Sequence, residues 1–209
     1  MLMSIKNITA LMDRGYPIGL KFLPDSPAPQ TNRLFCELIQ QARNGETISF
    51  SEQGCPVGAY VLGRDSPSPE EYYFNSDRYS SKEAAARAAE ALPRLEAPYS
   101  SIQLFPLTEN TPDFDVMLLF LSPEKATRLV QAFSYHDGRP LTFITGGTAS
   151  VCGDCTAAPA TNGRICISLG CKGSRKHSKY GKDELIAAIP FNLVKDICEG
   201  LLAIPDIFD

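Results

Sequence analysis

The sequence predicts a single mixed α/β domain, with helices packed on a mixed sheet, and three observations lead there. Two strand-length runs, IGLKFL at 18–23 and VMLLFL at 116–121, are each followed by a segment with apolar residues at helical spacing. Further short apolar runs alternate with helical patterns along the chain, as expected of helices covering a sheet. The 209 residues are 44% hydrophobic and 21% charged, an ordinary globular balance that leaves little room for disorder or coiled coil.

The elements follow in order. Ile5, Ile8, Leu11 and Met12 stand at helical spacing over 4–14, with Gly15 as a stop. The strand at 18–23 is closed by the prolines of PDSPAP, which cannot donate to a ladder. A helix is expected over 31–43, where Leu34, Phe35, Leu38, Ile39 and Ala42 form one stripe ahead of Gly45. A short strand at 47–51 then meets the turn signal Gln53-Gly54-Cys55-Pro56, and an apolar stretch follows at 57–62. Two Ser-Pro pairs, charge and aromatics make 64–78 a long loop. Ser80 with Glu83 resembles a capping box for an Ala-rich helix ending near Leu92. Strands are predicted at 101–105 and 116–121. Ser122 and Pro123 suit the cap and first turn of a helix carrying Ala126, Leu129, Val130 and Phe133, which Gly138 ends. Then come a strand at 141–144, a strand at 164–169, a basic loop at 172–182, a helix starting at 183–188 that Pro190 interrupts, and a last helix over about 192–202.

Two stretches read as an internal duplication. IGLKFL, helix, Gly45, Phe50, Cys55 parallels VMLLFL, helix, Gly138, Phe143, Cys152. On this reading the domain, 1–209, holds pseudo-repeat halves at about 16–62 and 114–155, followed by the basic loop and helices of 164–205. Each strand-helix-strand unit would form a crossover connection, and equivalent loops would bring Cys55 and Cys152 face to face.

Composition narrows the function classes. A net charge of −4 argues against bulk binding to nucleic acid or an anionic membrane. The longest apolar run is six residues, Val116 to Leu121, far short of the roughly 20 of a membrane-spanning helix. The N-terminal stretch lacks the apolar core of a signal peptide, so the expected location is cytoplasmic. No HExxH, GxSxG, GxGxxG or Walker-type string occurs.

Seven cysteines, at 36, 55, 152, 155, 166, 171 and 198, are the strongest chemical signal. An odd count without a secretion signal turns attention from disulfides to metal, cluster or thiol chemistry. Cys152, Cys155, Cys166 and Cys171 have the spacing C-x2-C-x10-C-x4-C, which on count alone suits zinc or an iron–sulfur cluster. Strand alternation weakens that local set, because Cys166 faces away from Ile165, Ile167 and Leu169. Cys198 shares a stripe with Val194, Ile197 and Leu201 and reads as a small core residue. Cys36 lies roughly 130° around its helix from the stripe centre, so its thiol leaves the main core face, either as a half-exposed cysteine without a role or aimed at a second surface where Cys55 or Cys152 is brought.

Phe35-Cys36 with Ala42-Arg43-x-Gly45, then Gly54-Cys55, Cys152, and Leu169-Gly170-Cys171-Lys172-Gly173-x-Arg175 resemble the uncharacterised ArCR family, domain of unknown function 169, over nearly the whole chain. The resemblance implies a compact archaeal and bacterial cytoplasmic protein whose cysteine positions are Cys36, Cys55, Cys152 and Cys171. It supplies no activity. Cys155, Cys166 and Cys198 are peculiar to this chain on that comparison.

Two functional expectations follow. The first is an iron–sulfur cluster or zinc ion held by those four cysteines, in an accessory redox role, with flanking glycines letting backbone N–H groups approach the thiolates. The second is an enzyme or sensor whose Gly170–Arg175 turn binds a small anionic metabolite: Gly170 and Gly173 form a nest, Arg175 grips the anion, and Cys171 serves as the reactive thiolate. The surrounding run carries five Lys/Arg and His177, and a solvated loop is its plainer use.

Overall fold

The computed structural model describes residues 5–96, 98–108 and 113–205. At its centre is one six-stranded sheet in the order β2-β3-β1-β4-β6-β5. The strands are β1 (Ile18–Leu23), β2 (Ile48–Phe50), β3 (Ser101–Pro106), β4 (Val116–Leu121), β5 (Cys166–Ser168) and β6 (Leu185–Pro190). Every neighbouring pair is antiparallel, so the sheet is not the mixed one expected from sequence. β1 and β2 do run the same way, but β3 is inserted between them.

β4 divides the core in two. Val116, Leu118 and Phe120 face one side and Met117, Leu119 and Leu121 the other, all six buried, because a central strand covered on both faces must be apolar throughout. The first face receives α2 (Phe35–Arg43) through Phe35, Leu38, Ile39 and Ala42, together with α3 (Pro56–Val61), α4 (Glu70–Asn75), α5 (Lys82–Glu90) and a π-helical segment, Ser150–Ala157. The second receives α1 (Lys6–Thr9), α6 (Pro123–Ser134) and α9 (Val194–Ala203). A short helix α7 (Ala158–Asn162) follows the π-helical segment, and α8 (Lys172–Ser178) follows β5.

The strands at 18–23 and 116–121 and the start of α6 fall where the sequence puts them. Ser122 Oγ accepts the Lys125 N–H at 3.2 Å, and Pro123 opens the helix. Other expectations need correction. Residues 141–144 form no strand, and 64–78 contains α4. The Ala-rich helix is capped by Ser81, whose Oγ accepts from Ala84 N–H at 3.2 Å, rather than by Ser80. The basic run folds into α8, and residues 185–190 are the central strand β6 instead of a helix. β6 pairs with β4 and β5 along its two edges while its faces are buried in the two cores, and this overrides the helix preference of its alanines.

The duplication is not seen in the structure. Its second unit lacks the strand at 141–144, and α2 and α6 pack on opposite faces of the sheet. A rotation exchanging the antiparallel neighbours β1 and β4 about an axis normal to the sheet would keep both helices on one face. The sheet position matching β2 belongs to β5, so the cysteine that leaves its strand as Cys55 leaves β2 is Cys171, not Cys152.

A candidate four-cysteine site

Each of the four cysteines sits at or near the start of a helical element. Cys36 is the second residue of α2, Cys55 caps α3, Cys152 is the third residue of the π-helical segment, and Cys171 caps α8. The sequence around each explains the placement. Gly54 is pressed against the Asn32 carbonyl and has no room for a Cβ. Gly170 has φ +83°, and a Cβ there would run into the Tyr180 hydroxyl. These two Gly-Cys turns aim their thiols back over the helix that follows. Cys55 Sγ accepts the Gly58 N–H at 3.4 Å, and Cys171 Sγ accepts the Ser174 N–H at 3.3 Å. Both thiols thereby do the work that a Ser or Asp usually does at a helix start.

Gln53 fastens the first pair. Its Oε1 accepts from Phe35 N–H (3.1 Å) and Cys55 N–H (2.7 Å), while its Nε2 donates to the Cys55 carbonyl (2.8 Å). Ser178 Oγ of α8 donates to the Cys36 carbonyl at 2.7 Å, which ties the Cys171 helix to the Cys36 helix. The π-helical segment starts after Ala149, held at φ +51°, and its wide turn is marked by the Asp154 N–H bonding to the Ala149 carbonyl at 3.2 Å.

The outcome is one cavity of about 310 Å³ lined by Cys36, Cys55, Cys152 and Cys171. Most of the remaining wall is apolar, with Phe35 and Val57 among its members, while Arg78 and His177 also border it. Ser150 Oγ is buried there with no hydrogen-bond partner among the described residues. Cys155, Cys166 and Cys198 do not line it. Cys155 is fully buried, donating weakly to the Ile186 carbonyl, and Cys198 packs in the second core as the helical spacing predicts.

The four thiols differ in acidity. Burial pushes Cys36 up to about 11 and raises Cys55 and Cys152 as well. Cys171 ends below the ordinary thiol value. Burial raises it too, but the Ser174 hydroxyl and the N–H groups of Ser174, Ser150 and Gly173 outweigh that by favouring the anion. Each of Cys36, Cys55 and Cys152 is also raised by the charge of at least one other member of the set, which follows from sharing one low-dielectric space. Among the described residues, no group of three or more His, Cys, Asp or Glu side chains is placed to hold a metal ion. The four sulfurs border a space.

Arg175 points elsewhere. Its guanidinium donates to the carbonyls of Leu169 (Nη2, 2.6 Å; Nε, 3.1 Å), Gly181 (3.0 Å) and Glu184 (3.0 Å) and stacks 4.8 Å from the Tyr180 ring centre. Of the three residues expected to form an anion nest, Gly173 lines the cavity and Gly170 and Arg175 do not.

The model of the family described as uncharacterised ArCR, domain of unknown function 169, matches residues 8–200. The chain belongs to this family. An uncharacterized protein of the archaeon Methanocaldococcus jannaschii, MJ0308, is 32% identical over 174 residues, covering 79% of this chain and 75% of that one. No solved structure matches the chain at a significant level. No described helix is long and apolar enough to cross a membrane.

Sequence reasoning names the cysteines of this ArCR member but misses Ser150, Gln53 and Ser174. Ser174, three residues after Cys171, is legible once a cysteine is allowed in the capping role. Gln53 carries no spacing signal because its link to Phe35 spans 18 residues, and Ser150 carries none because its hydroxyl has no partner among the described residues.

Proposed function

We propose that this protein is a cytoplasmic redox accessory protein whose cavity receives an iron–sulfur centre held by Cys36, Cys55, Cys152 and Cys171. One observation carries the reading: four cysteines from four separate segments line the same cavity. The donor set fits, since thiolates are the usual ligands of such clusters. The buried Ser150 hydroxyl lacks a partner among the described residues, and cluster sulfides accept hydrogen bonds. The cavity of about 310 Å³ that the four cysteines line has room for a polynuclear centre.

When bound, the centre supplies one-electron transfer. The chain's own residues do the rest. Gly58 and Ser174 N–H groups hydrogen-bond the Cys55 and Cys171 sulfurs, favouring their thiolate forms, and the apolar wall limits water. Three of the four thiols are raised, so loading must displace protons and improves as pH rises.

Anaerobic purification, reconstitution with iron and sulfide, visible absorption and iron analysis test this. The expected result is a coloured protein with bound iron and acid-labile sulfide, lost on replacing any of the four cysteines with Ser and kept in Cys155→Ser, Cys166→Ser and Cys198→Ser. Colourless, iron-free protein after reconstitution overturns it.

A second reading rests on Cys171 alone: an enzyme or sensor for a small anionic metabolite, with Cys171 as the thiolate. Its lowered pKa and the N–H groups around its sulfur favour it. Arg175, occupied by three carbonyls, contributes no free fork to such a ligand. Saturable binding of phosphates or carboxylates to cluster-free protein, weakened in Cys171→Ser, supports this second reading.

A further inference from the structure

Cys152 and Asp154 stand two residues apart in the π-helical segment yet border different cavities. The second cavity, of about 320 Å³, lies between the end of α5, the irregular chain 142–148 and residues 162–166, with Asp154 on its wall. Its lining is mostly apolar and includes Phe143, Ile144 and Ile165. Asp154 is 5% exposed, and its Oδ2 accepts from Ser168 Oγ at 2.7 Å and Thr145 Oγ1 at 2.9 Å. Oδ1 makes no hydrogen bond among the described residues, and no Lys, Arg or His comes within salt-bridge distance of the carboxylate.

A buried carboxylate without a counter-charge is costly to keep ionised, and a bound cation offsets that cost. A hard metal ion calls for six or more oxygen ligands, which one carboxylate and two hydroxyls in an apolar cavity do not supply. An organic ammonium needs one free oxygen and an apolar wall. We propose that this cavity binds a small organic ammonium ion, which donates to Asp154 Oδ1 and packs its hydrocarbon part against Phe143, Ile144 and Ile165. The site is independent of what the four cysteines hold. Two sources share this chemistry: simple amines, and amino acids whose carboxylate reaches Arg164, an exposed residue on the same lining with no acidic partner among the described residues.

The test is calorimetric titration of the whole chain at neutral pH with n-butylammonium chloride, norleucine and n-pentanol, the last an uncharged analogue. The ammonium compounds are expected to bind and the alcohol at least tenfold more weakly. Asp154→Asn is expected to weaken ammonium binding at least tenfold while leaving the thiol labelling rate of Cys171 unchanged. Should that variant fail to fold, Phe143→Ala, at a position 40% exposed, serves instead and is expected to weaken binding severalfold. Norleucine bound more tightly than butylammonium, with the advantage lost in Arg164→Ala, assigns amino acids as the source; the reverse order assigns amines. No binding, equal binding of alcohol and ammonium, or binding unaffected by the Asp154 and Phe143 variants overturns the proposal.

Discussion

Arg43 and Glu184, 141 residues apart, form a buried two-pronged ion pair: Nη2 meets Oε1 at 2.5 Å and Nη1 meets Oε2 at 3.1 Å. Each side chain is only 6% exposed, and the guanidinium also lies 4.4 Å from the centre of the Phe120 ring. Arg43 ends the helix that begins beside Cys36, and Glu184 lies in the turn between α8 and β6. The pair therefore fixes the Cys36 helix to the segment that follows the Cys171 helix. Glu184 Oε2 also accepts the Gly181 N–H at 2.6 Å, so one carboxylate organises the whole turn.

Removing one partner should cost far more than removing both. Arg43→Met removes the buried partner and leaves Glu184 only the exposed Arg14 guanidinium, 3.2 Å from Oε1, so the expected loss in urea unfolding is about 3 kcal/mol, the lower end for a broken buried pair. The double variant Arg43→Met, Glu184→Leu should recover much of that loss, since an apolar pair avoids burying a lone charge. Losses in Arg43→Met and Glu184→Leu that simply add in the double variant would show that the pair is not coupled.

The same carboxylate sets an acid limit. Burial raises the Glu184 pKa, but the Arg43 hydrogen bonds and the Gly181 N–H more than offset this, leaving it below the ordinary carboxylate value. A depressed folded-state value stabilises the fold above the unfolded value of about 4.3, and that contribution fades as pH falls through the folded value. Unfolding free energy measured from pH 6 downward should thus drop more steeply in the native chain than in Glu184→Gln. Parallel curves would reject the assignment.

Among the cavity thiols, Cys171 should react first. In chelator-treated protein, iodoacetamide followed by peptide mapping should label Cys171 ahead of Cys36, Cys55 and Cys152, because only Cys171 is lowered. Ser174→Ala removes a side-chain donor and should slow that labelling at pH 7. An unchanged rate would mean that the backbone N–H groups alone hold the thiolate.

How far the sequence reaches is visible in these same residues. The helical spacing of 34–42 turned Cys36 away from the main stripe, and the structure places it on the cavity. The strand at 116–121 was legible because a six-residue apolar run in a central strand leaves few alternatives, and that at 18–23 because its short apolar stretch stops at a proline-rich turn. Residues 185–190 were not, since a short apolar run rich in alanine is compatible with helix or strand until its neighbours are known. The π-helical segment was also hidden: SVCGDCTA has no periodic signal of its own, and its wide turn depends on Ala149 adopting a left-handed conformation. The apparent match of Cys55 to Cys152 came from chain offsets alone, while the sheet order matches Cys55 to Cys171.

Arg175 provides the last test, because its contacts are structural. Its guanidinium ties the end of β5, through Leu169, to Gly181 and Glu184 beyond α8, closing the loop that carries Cys171. Arg175→Ala leaves these carbonyls without their charged donor, so stability should fall by about 1.5–3 kcal/mol. Iron content after reconstitution should stay near that of the native chain at low temperature, because a loop anchor and a cluster ligand contribute unequally. Cys171→Ser should show the opposite pattern, with near-native stability in the cluster-free state and little bound iron. Should Arg175→Ala instead keep its stability and lose binding of a phosphate or carboxylate by tenfold or more, the anion reading of this turn would replace the cluster reading. Urea unfolding, iron analysis and anion titration on the two variants separate these outcomes.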